Sequence, residues 1–476
     1  MIKPLLCLSL ALGLTVCALS QDKWDLRRCV EYALANNISV KQQDVQARLA
    51  ALTYNQSKLA QYPSATFSGN TYYTSGRYQN PVSFGLSTQS SISSGYTLQA
   101  GADLFNWFSK RNATAGNLLE YQAASANVDK LKDDISLNVA GAYLQALLSK
   151  QQVSVSLVQI SQTTAQLENT RKLVNAGNVP ELNLIQLEAQ LATDSSNLIT
   201  AQGNETQAML LLKAYLNLDA GSPFQITTPN VESIPLEKLS DLQPEAVYDL
   251  ALQNLPQQRV NDFHVKAAEK FVASARASMY PTFSLFGVAG TNYFDKATKN
   301  VSSYTINPAI GTVNFNNTDY LVYPVQPFTQ YNTAFIPYFE QLNQNIRQQV
   351  GISLSIPIAN GGVLRTNYNR SKLTLLNYQL QRQLDNQTLK QNIYKAYNDV
   401  LTSMAKYNAS GKTVLANEKA YDFATKRYNA GLLNTIDLIT TQNNLFSARL
   451  QQLLAQFDYV FKMKVLEFYK GQGIKL

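Results

Sequence analysis

The corner Asn-Ala-Gly occurs twice, each time at the end of an unusually long segment without proline. These segments cover residues 107–176 and 360–430. Because proline breaks or kinks a helix interior, each segment is predicted to form one continuous helix. At 1.5 Å per residue, a helix of this length extends about 105 Å. A compact globule has no use for such an element, so the sequence predicts an elongated, mainly helical fold.

The two halves of the chain repeat each other in a fixed register. Gly177 and Gly431 lie 254 residues apart, whereas Pro63 and Pro281, near the start of each half, lie 218 apart. The second half therefore carries 36 extra residues, which must lie between Pro281 and Asn360. Copies that differ in only one region indicate duplication of a supersecondary module.

The repeat sets the predicted domain organisation. We expect a signal peptide over 1–20, a first repeat over 21–218, a linker over 219–244 and a second repeat over 245–476. Each repeat is predicted to hold a helix, a strand hairpin, a long helix and a shorter helix. Their expected bounds are about 26–61, 62–105, 107–176 and 181–217 in the first repeat, and about 245–279, 280–358, 360–430 and 435–471 in the second. Two short helices together match one long helix, so we expect them to stack end to end beside it.

Each Asn-Ala-Gly corner is predicted to end one long helix and to begin its antiparallel partner. Glycine adopts the left-handed conformation that closes helices, and Asn178 or Asn434 can cap the helix that follows. The residues at these two tips are Asn175, Ala176, Gly177, Asn429, Ala430, Gly431 and Leu432.

Alternating apolar and small or polar residues predict membrane strands. Val350, Ile352 and Leu354 alternate with glycine and serine, and strands of about 9 to 11 residues with one apolar face can cross an outer membrane within a barrel. Four strands cannot close a barrel, and open edges are not tolerated in lipid, so several copies are expected to pool their strands. The hairpin loops are expected to be polar, short around residues 78–91 and long over 290–344.

Aromatic residues are concentrated where the predicted strands end. In a membrane barrel they would form an interfacial girdle; ordinary packing at a strand–helix corner is the alternative. The residues are Tyr62, Phe105, Trp107, Phe108 and Tyr280.

The first twenty residues are typical of a secretory signal peptide. Lys3 precedes an apolar run that ends at Leu19, and cleavage is expected after Ser20. Lipidation of Cys17 after signal removal is a second possibility. After ordinary cleavage Cys29 is the only cysteine left, so we expect no intramolecular disulfide.

Composition argues against nucleic-acid binding and catalysis. The net charge of +8 is modest for 476 residues, and no run of basic residues interleaved with aromatics indicates nucleic-acid binding. The sequence contains one histidine, His264, and no metal-spaced cluster, phosphate loop or catalytic triad. We therefore expect neither an enzyme nor a bound cofactor or metal.

Several repeated motifs together resemble those of the TolC family of outer-membrane efflux and secretion channels. These are "CVEYALANN" and its echo "VYDLALQNLP", the junctions "LFNW" and "IANGG", and "KRYNAGLLNTIDLITTQNNL". The resemblance covers nearly the whole chain after residue 20. It implies a mixed, mainly α fold, in which long antiparallel helical hairpins form a periplasmic duct and four strands per chain contribute to a shared trimeric transmembrane β-barrel.

The resemblance also implies partners and an entrance gate. The tips would dock onto a periplasmic adaptor protein, which couples the duct to an inner-membrane RND or ABC transporter. Tyr428 and Asp437 match the family's gating positions. Three other positions differ from the family's pattern. Thr440 replaces the second entrance acid, Leu433 replaces an arginine that often locks the closed state, and Asn183 replaces an acid of the first hairpin. At this position Tyr428 can still hydrogen-bond Asn183, but no salt bridge can form.

The expected function is an outer-membrane channel that extends into the periplasm and exports substrates as the outer component of a tripartite efflux or type I secretion system. A coiled-coil spacer or adhesin anchored by a barrel is the main alternative. A nutrient porin is the third, but porins carry all their strands in one chain and lack a long helical duct.

Overall fold

The computed structural model describes residues 23–79, 84–228 and 234–471. The predicted signal peptide, with Cys7 and Cys17, lies outside the described residues. The chain divides into two compact units. The helical unit comprises Met1–Thr53, Gly116–Glu269 and Leu373–Leu476, and the strand unit comprises Tyr54–Ala115 and Lys270–Lys372.

The helices follow the duplication. Those of the first repeat are α1 (Leu26–Asn36), α2 (Ile38–Leu59), α3 (Ser109–Asn175) and α4 (Glu181–Leu216). Those of the second are α5 (Pro244–Asn254), α6 (Pro256–Ala277), the short α7 (Tyr338–Gln344), α8 (Val363–Asn429) and α9 (Thr435–Phe468). Both ends of α3 lie 254 residues before those of α8, and α1 and α2 lie 218 residues before α5 and α6. The internal repeat is thereby confirmed. Within the described residues, no helix is both long and apolar enough to span a membrane.

The first helix of each repeat is interrupted, although the sequence predicted one continuous helix over 26–61 and over 245–279. Both breaks fall on equivalent residues, Asn37 and Leu255, whose ψ angles of 128° and 132° are extended. Leu255 precedes Pro256, and a residue before proline is disfavoured in the helical conformation. Asn37 instead accepts a hydrogen bond through its side chain from the Ser39 backbone N–H at 2.9 Å. Two different local causes thus produce the same break.

Two of the hydrophobic cores in the helical unit are also repeats of each other. One contains Cys29 and Val139, which are both fully buried. The other contains their equivalents, Val247 and Ile393, also fully buried. Burial raises the pKa of the Cys29 thiol to about 12, so this cysteine is an inert core residue rather than a reactive one.

The strand unit contains a four-stranded antiparallel sheet with strand order β1-β2-β3-β8. Its strands are β1 (Ser64–Gln79), β2 (Leu86–Phe105), β3 (Thr282–Phe294) and β8 (Arg347–Ser355). β1 and β8 are therefore the edges of this sheet.

The sheet has one apolar and one polar face. Phe67 lies opposite Leu98, and Leu285 lies opposite Ile352, so all four side chains are on one face. This face is exposed around Phe67 and Ile352, of which 69% and 68% are accessible. The alternate positions of the strands carry mainly polar side chains, including Ser68, Asn70, Thr97, Gln99, Gln349 and Ser353. An exposed apolar face on a regular sheet indicates contact with something other than water.

Both predicted hairpin loops contain more regular structure than expected. In the first hairpin the strands continue to a pair between Gln79 and Leu86, and residues 80–83 lie outside the described residues. The segment over 290–344 forms two further hairpins and α7. Its strands are β4 (Thr298–Ile306), β5 (Gly311–Phe315), β6 (Thr318–Val322) and β7 (Phe328–Phe335), paired β4–β7 and β5–β6. Its alternating tyrosine, threonine and asparagine residues suit strands as well as loops, which is why composition alone was misleading.

A buried ion pair fixes the linker segment to α9. Lys464 and Glu467 expose only 6% and 5% of their side chains and lie 2.8 Å apart. Lys464 also donates to the Pro235 carbonyl at 2.6 Å, and Glu467 accepts from the Glu237 backbone N–H at 2.8 Å. The pair is thus hydrogen-bonded on both sides to the linker.

We expect Glu467→Ala to destabilise the helical unit by about 3–5 kcal/mol, because it removes the carboxylate that balances the charge of the buried Lys464 ammonium group. Asp422→Ala is the matched control, since the Asp422–Lys426 pair on α8 exposes 57% and 69% of its side chains and such pairs contribute little. Thermal unfolding followed by circular dichroism measures both. Equal unfolding midpoints for the two variants would contradict a structural role for the buried pair.

Candidate functional site

Both helix tips are closed by the same pair of backbone hydrogen bonds. At the first tip the Gly177 N–H donates to the Val174 carbonyl at 2.8 Å, and the Asn178 N–H donates to the Leu173 carbonyl at 2.9 Å. This is the Schellman arrangement, which requires a left-handed residue after the helix. Gly177 supplies it with a φ of 72°.

The second tip repeats this geometry. The Gly431 N–H donates to the Tyr428 carbonyl at 2.9 Å, and the Leu432 N–H donates to the Arg427 carbonyl at 2.8 Å. Gly431 has a φ of 74°. Apart from the glycine and its chain neighbours, no heavy atom of the described residues lies within 4 Å of the position that a Cβ would take at either glycine. Backbone conformation, and not space, is therefore what requires glycine there.

The starts of the returning helices differ between the two tips. Asn434 caps α9 as predicted, because its side-chain oxygen accepts from the Asp437 backbone N–H at 2.7 Å. The expectation that Asn178 caps α4 is wrong. The N-cap position there is Pro180, which makes no side-chain cap bond, and Asn178 instead completes the preceding turn.

The tips present an exposed surface with apolar side chains. All seven predicted tip residues are exposed. Leu432 exposes 68% of its surface, and the equivalent pair Leu182 and Ile436 expose 60% and 58%. Exposed aliphatic side chains therefore lie beside both turns.

The three predicted gate residues lie in different environments. Tyr428 is buried, and its hydroxyl pairs with the Thr170 hydroxyl of α3 at 3.0 Å rather than with the predicted Asn183. Asn183 is half-buried and donates its backbone N–H to the Pro180 carbonyl. Asp437 is exposed in the first turn of α9. The structure thus ties the second hairpin to the first through a buried threonine that sequence reasoning missed.

Thr170 belongs to a regular row of buried hydroxyl groups. Ser149, Ser156, Thr163 and Thr170 follow one another at intervals of seven on α3, and each exposes 4% or less. A seven-residue repeat of buried positions is the signature of coiled-coil packing. Thr163 and Thr170 hydrogen-bond to side chains of other helices, so the seam between the helices is held there by hydrogen bonds as well as by apolar contacts.

Asp194 is the most polar member of this seam. It exposes 2% of its surface and accepts from the Thr163 hydroxyl at 2.5 Å and from the Gln190 amide at 2.8 Å. Gln442 of α9 donates to the same Thr163 hydroxyl at 2.8 Å, so the network crosses from one hairpin to the other. Gln190 and Asn443 add a reciprocal amide pair at 3.1 Å.

A signal for Asp194 was present in the sequence. Leu187, Asp194, Ala201 and Ala208 lie seven residues apart on α4, and all four are buried. An acid within an otherwise apolar heptad row predicts a buried polar contact. Its partner Thr163 could not be read in the same way, because it lies on another helix, α3.

Four of the five predicted girdle residues form an aromatic cluster in the strand unit. The Trp107 ring lies 5.2 Å from both Phe105 and Tyr280, and Phe108 lies 5.8 Å from Phe105. Trp107 also donates its indole N–H to the Pro281 carbonyl at 2.8 Å. Tyr62 follows α2 and exposes 64% of its surface.

Two of these aromatics occupy strained backbone conformations. Trp107 and Phe108 have φ angles of 52° and 64°, whereas their equivalents in the second repeat are Gly361 and Gly362, at 62° and 78°. Left-handed backbone costs a bulky residue of order 1–2 kcal/mol. The first repeat bears this strain where the second uses glycine, which indicates that the side chains themselves matter.

We expect Gly431→Ala to destabilise the second tip by about 1–2 kcal/mol, because the left-handed backbone conformation is strained for alanine even where its side chain meets no clash. Gly431→Asn should cost less, since asparagine tolerates this region. Hydrogen exchange of the last turn of α8 measures local opening in both variants. Equal exchange in wild type and Gly431→Ala would contradict the assignment.

The comparisons with known proteins identify the chain's family. The family model described as "Outer membrane efflux protein" matches residues 29–218 and 338–468. The protein is 21% identical to outer membrane protein TolC of Escherichia coli (strain K12), over 68% of this chain and 58% of TolC. It is 24% identical to alkaline protease secretion protein AprF of Pseudomonas aeruginosa, over 71% of this chain and 61% of AprF. The aligned regions thus span less than two thirds of either relative.

A solved structure has the same fold. CusC superimposes with a TM-score of 0.76 at 17% identity, over 94% of this chain and 92% of CusC. The mainly helical TolC-like fold expected from the sequence is confirmed. With its two matched segments, one in each repeat, the chain belongs to the outer membrane efflux protein family.

Proposed function

We propose that this protein is the outer-membrane channel of a tripartite efflux or type I secretion system. Family membership localises the chain to the outer membrane and the periplasm, in a family of channels rather than enzymes. The observation that carries the proposal is the two-faced sheet with two open edges. Its apolar face suits lipid and its polar face suits a water-filled lumen.

The sheet becomes stable in a bilayer only when its edges are paired. β1 and β8 are the edge strands, and unpaired backbone groups in hydrocarbon cost several kcal/mol each. Pairing β1 of one copy with β8 of the next satisfies both edges. Three copies would close a twelve-stranded barrel, so the proposed assembly is a homotrimer whose barrel contacts outer-membrane lipid.

The aromatic cluster suits the periplasmic boundary of such a barrel. Tryptophan and tyrosine are enriched at membrane interfaces because their rings are apolar and their N–H or O–H groups are polar. Trp107, Phe105, Phe108 and Tyr280 lie at the end of β2 and at the start of β3, and Tyr62 precedes β1. These residues are proposed to form the inner girdle.

The exposed tips are proposed to dock onto a periplasmic adaptor protein, which joins the channel to an inner-membrane RND or ABC transporter. The surface includes Asn175, Ala176, Gly177, Asn429, Ala430, Gly431 and Leu432. Exposed Leu182 and Ile436 flank these turns and offer the apolar contact that docking requires. The channel itself is passive, and the transporter supplies the energy.

The Tyr428–Thr170 contact is proposed to hold the entrance closed. It joins the end of α8 to α3, so the two hairpins cannot separate at the tips without breaking it. Asp437 is exposed in the first turn of α9, where an acid from each copy would form a ring that favours cations. Asn183 lies beside the first tip and takes no part in the hydroxyl pair.

A barrel-anchored spacer or adhesin is the alternative function. It would share the helices and the strands but would need no lumen. Conductance separates the two directly. We expect the purified protein to give discrete single-channel steps in planar lipid bilayers. Lipid-inserted protein with native helix content and no conductance would contradict a channel.

We expect Tyr428→Phe to raise the ratio of open to closed time about fivefold, because loss of one buried hydrogen bond is worth about 1 kcal/mol. Tyr407→Phe is the matched control on the same helix, since Tyr407 stacks on Tyr459 within its own hairpin. Asp437→Asn should lower the preference for cations over anions. If Tyr428→Phe and Asp437→Asn both kept wild-type gating and selectivity, the assignment of Tyr428 and Asp437 to the gate would be wrong.

A further inference from the structure

The short helix α7 packs against the apolar face of the sheet. Tyr96 lies on the same face as Leu98, because side chains two residues apart on a strand share a face. The Tyr96 hydroxyl bonds the Tyr338 hydroxyl of α7 at 2.7 Å, and the Tyr293 ring lies 4.7 Å from the Tyr338 ring. α7 therefore lies on the side that faces lipid under the proposed function.

Several hydrogen bonds fix the helix to β3. Gln341 exposes 2% of its surface. Its side-chain oxygen accepts from the Phe294 backbone N–H at 3.0 Å, and its amide donates to the Phe294 and Ile336 carbonyls. The Thr291 hydroxyl donates to the Leu342 carbonyl at 2.6 Å. A seven-residue helix held in this way has a defined position on the sheet.

The outer side of this helix is aromatic and unpacked. Phe339 exposes 82% of its surface, although its ring meets the Tyr338 ring edge-to-face at 5.4 Å between ring centroids. Phe335, the last residue of β7 just before the helix, exposes 66%. The next residue, Glu340, instead pairs with Lys299 of β4 at 2.5 Å. The helix thus has a polar side tied to the β4–β7 hairpin and an aromatic side that the described part of the chain leaves uncovered.

The position of the helix along the strands matches the thickness of a membrane. Nine residue steps separate Tyr96 from Phe105 of the inner aromatic cluster, which is about 30 Å along a strand. At the strand tilt of about 40° found in membrane barrels, this spans about 23 Å of the membrane normal, close to the usual apolar band of about 25 Å. Tyr96, Tyr293 and Tyr338 therefore lie where the second interfacial girdle belongs.

The composition of β1 and β2 changes at this level. Towards the inner cluster, the apolar face carries Phe67 and Leu98, both exposed. Beyond Tyr73 and Ile92, the paired strands continue mainly with serine, threonine, glutamine and arginine as far as the pair between Gln79 and Leu86. The helix thus lies at the boundary between an apolar and a polar stretch of the same hairpin.

We infer that α7 is a lipid anchor, a short interfacial helix that places Phe339 among the lipids of the outer leaflet and fixes the depth of the barrel. The partner is the lipid surface, since the aromatic side of α7 is continuous with the sheet face that contacts hydrocarbon. This inference rests on the proposed membrane barrel, so its test measures the two separately.

The test places a spin label at three positions of the protein after removal of the predicted signal peptide, which carries Cys7 and Cys17. Phe339→Cys probes the helix, Ile352→Cys probes the apolar face of the sheet, and Phe315→Cys probes β5, where Phe315 exposes 65% of its surface. Protein that carries no added cysteine is labelled in parallel; Cys29 should stay unlabelled because it is buried and its pKa is raised to about 12. The proteins are reconstituted in vesicles of dioleoylphosphatidylcholine. Collision with oxygen, which concentrates in lipid, is compared with collision with a water-soluble nickel chelate.

We expect the oxygen-to-nickel collision ratio at position 339 to exceed that at 315 several-fold and to approach that at 352. Gln341→Ala should lower the ratio at 339, whereas Asn343→Ala, at an exposed neighbour on the same helix, should leave it unchanged. A ratio at 339 equal to that at 315, with a high ratio kept at 352, would overturn the anchor alone. A water-like ratio at 352 would overturn the membrane face of the sheet, and the anchor with it.

Discussion

Backbone hydrogen bonding in lipid is the constraint on which the rest of this structure depends. Among the described residues, the sheet presents β1 and β8 as edges and exposes an apolar face. In water an apolar face would aggregate, and in hydrocarbon the open edges would be unsatisfied. Edge-to-edge association of identical copies pairs the open edges, and the lipid then covers the apolar face. The oligomer is thus a condition for the sheet to exist in a membrane rather than a later addition to it.

Duplication explains how one supersecondary module, used twice, supplies both the strands and the helices of this structure. Equivalent residues build the two cores, the two helix breaks and the two Schellman turns, so each repeat contributes one hairpin of strands and one hairpin of helices. The copies then diverge where their tasks differ. The first repeat tolerates left-handed Trp107 and Phe108 where the second uses glycine, and within the described residues the second alone carries the extra hairpins and α7.

Local signals allowed much of this fold to be predicted from the sequence. Proline-free runs and the glycine corners located the long helices to within about three residues, since these signals act through the backbone at the residue itself. Pro256 marked a break that was overlooked, whereas Asn37 offered no comparable sign. The partner of Tyr428 was missed because Thr170 lies 258 residues away. Such a pairing depends on how the hairpins pack, and the 254-residue register carries no information on that.

The central claim is that several copies share one barrel through β1 and β8. Within one chain these strands are three strand spacings apart, about 14 Å, so a thiol cross-linker shorter than this distance can join them only between chains. Paired cysteines stepped along β1 and β8, starting with Phe67→Cys and Ile352→Cys, should give covalent species that end at three chains on denaturing electrophoresis. Single chains alone, from protein that is folded and inserted in lipid, would contradict the account.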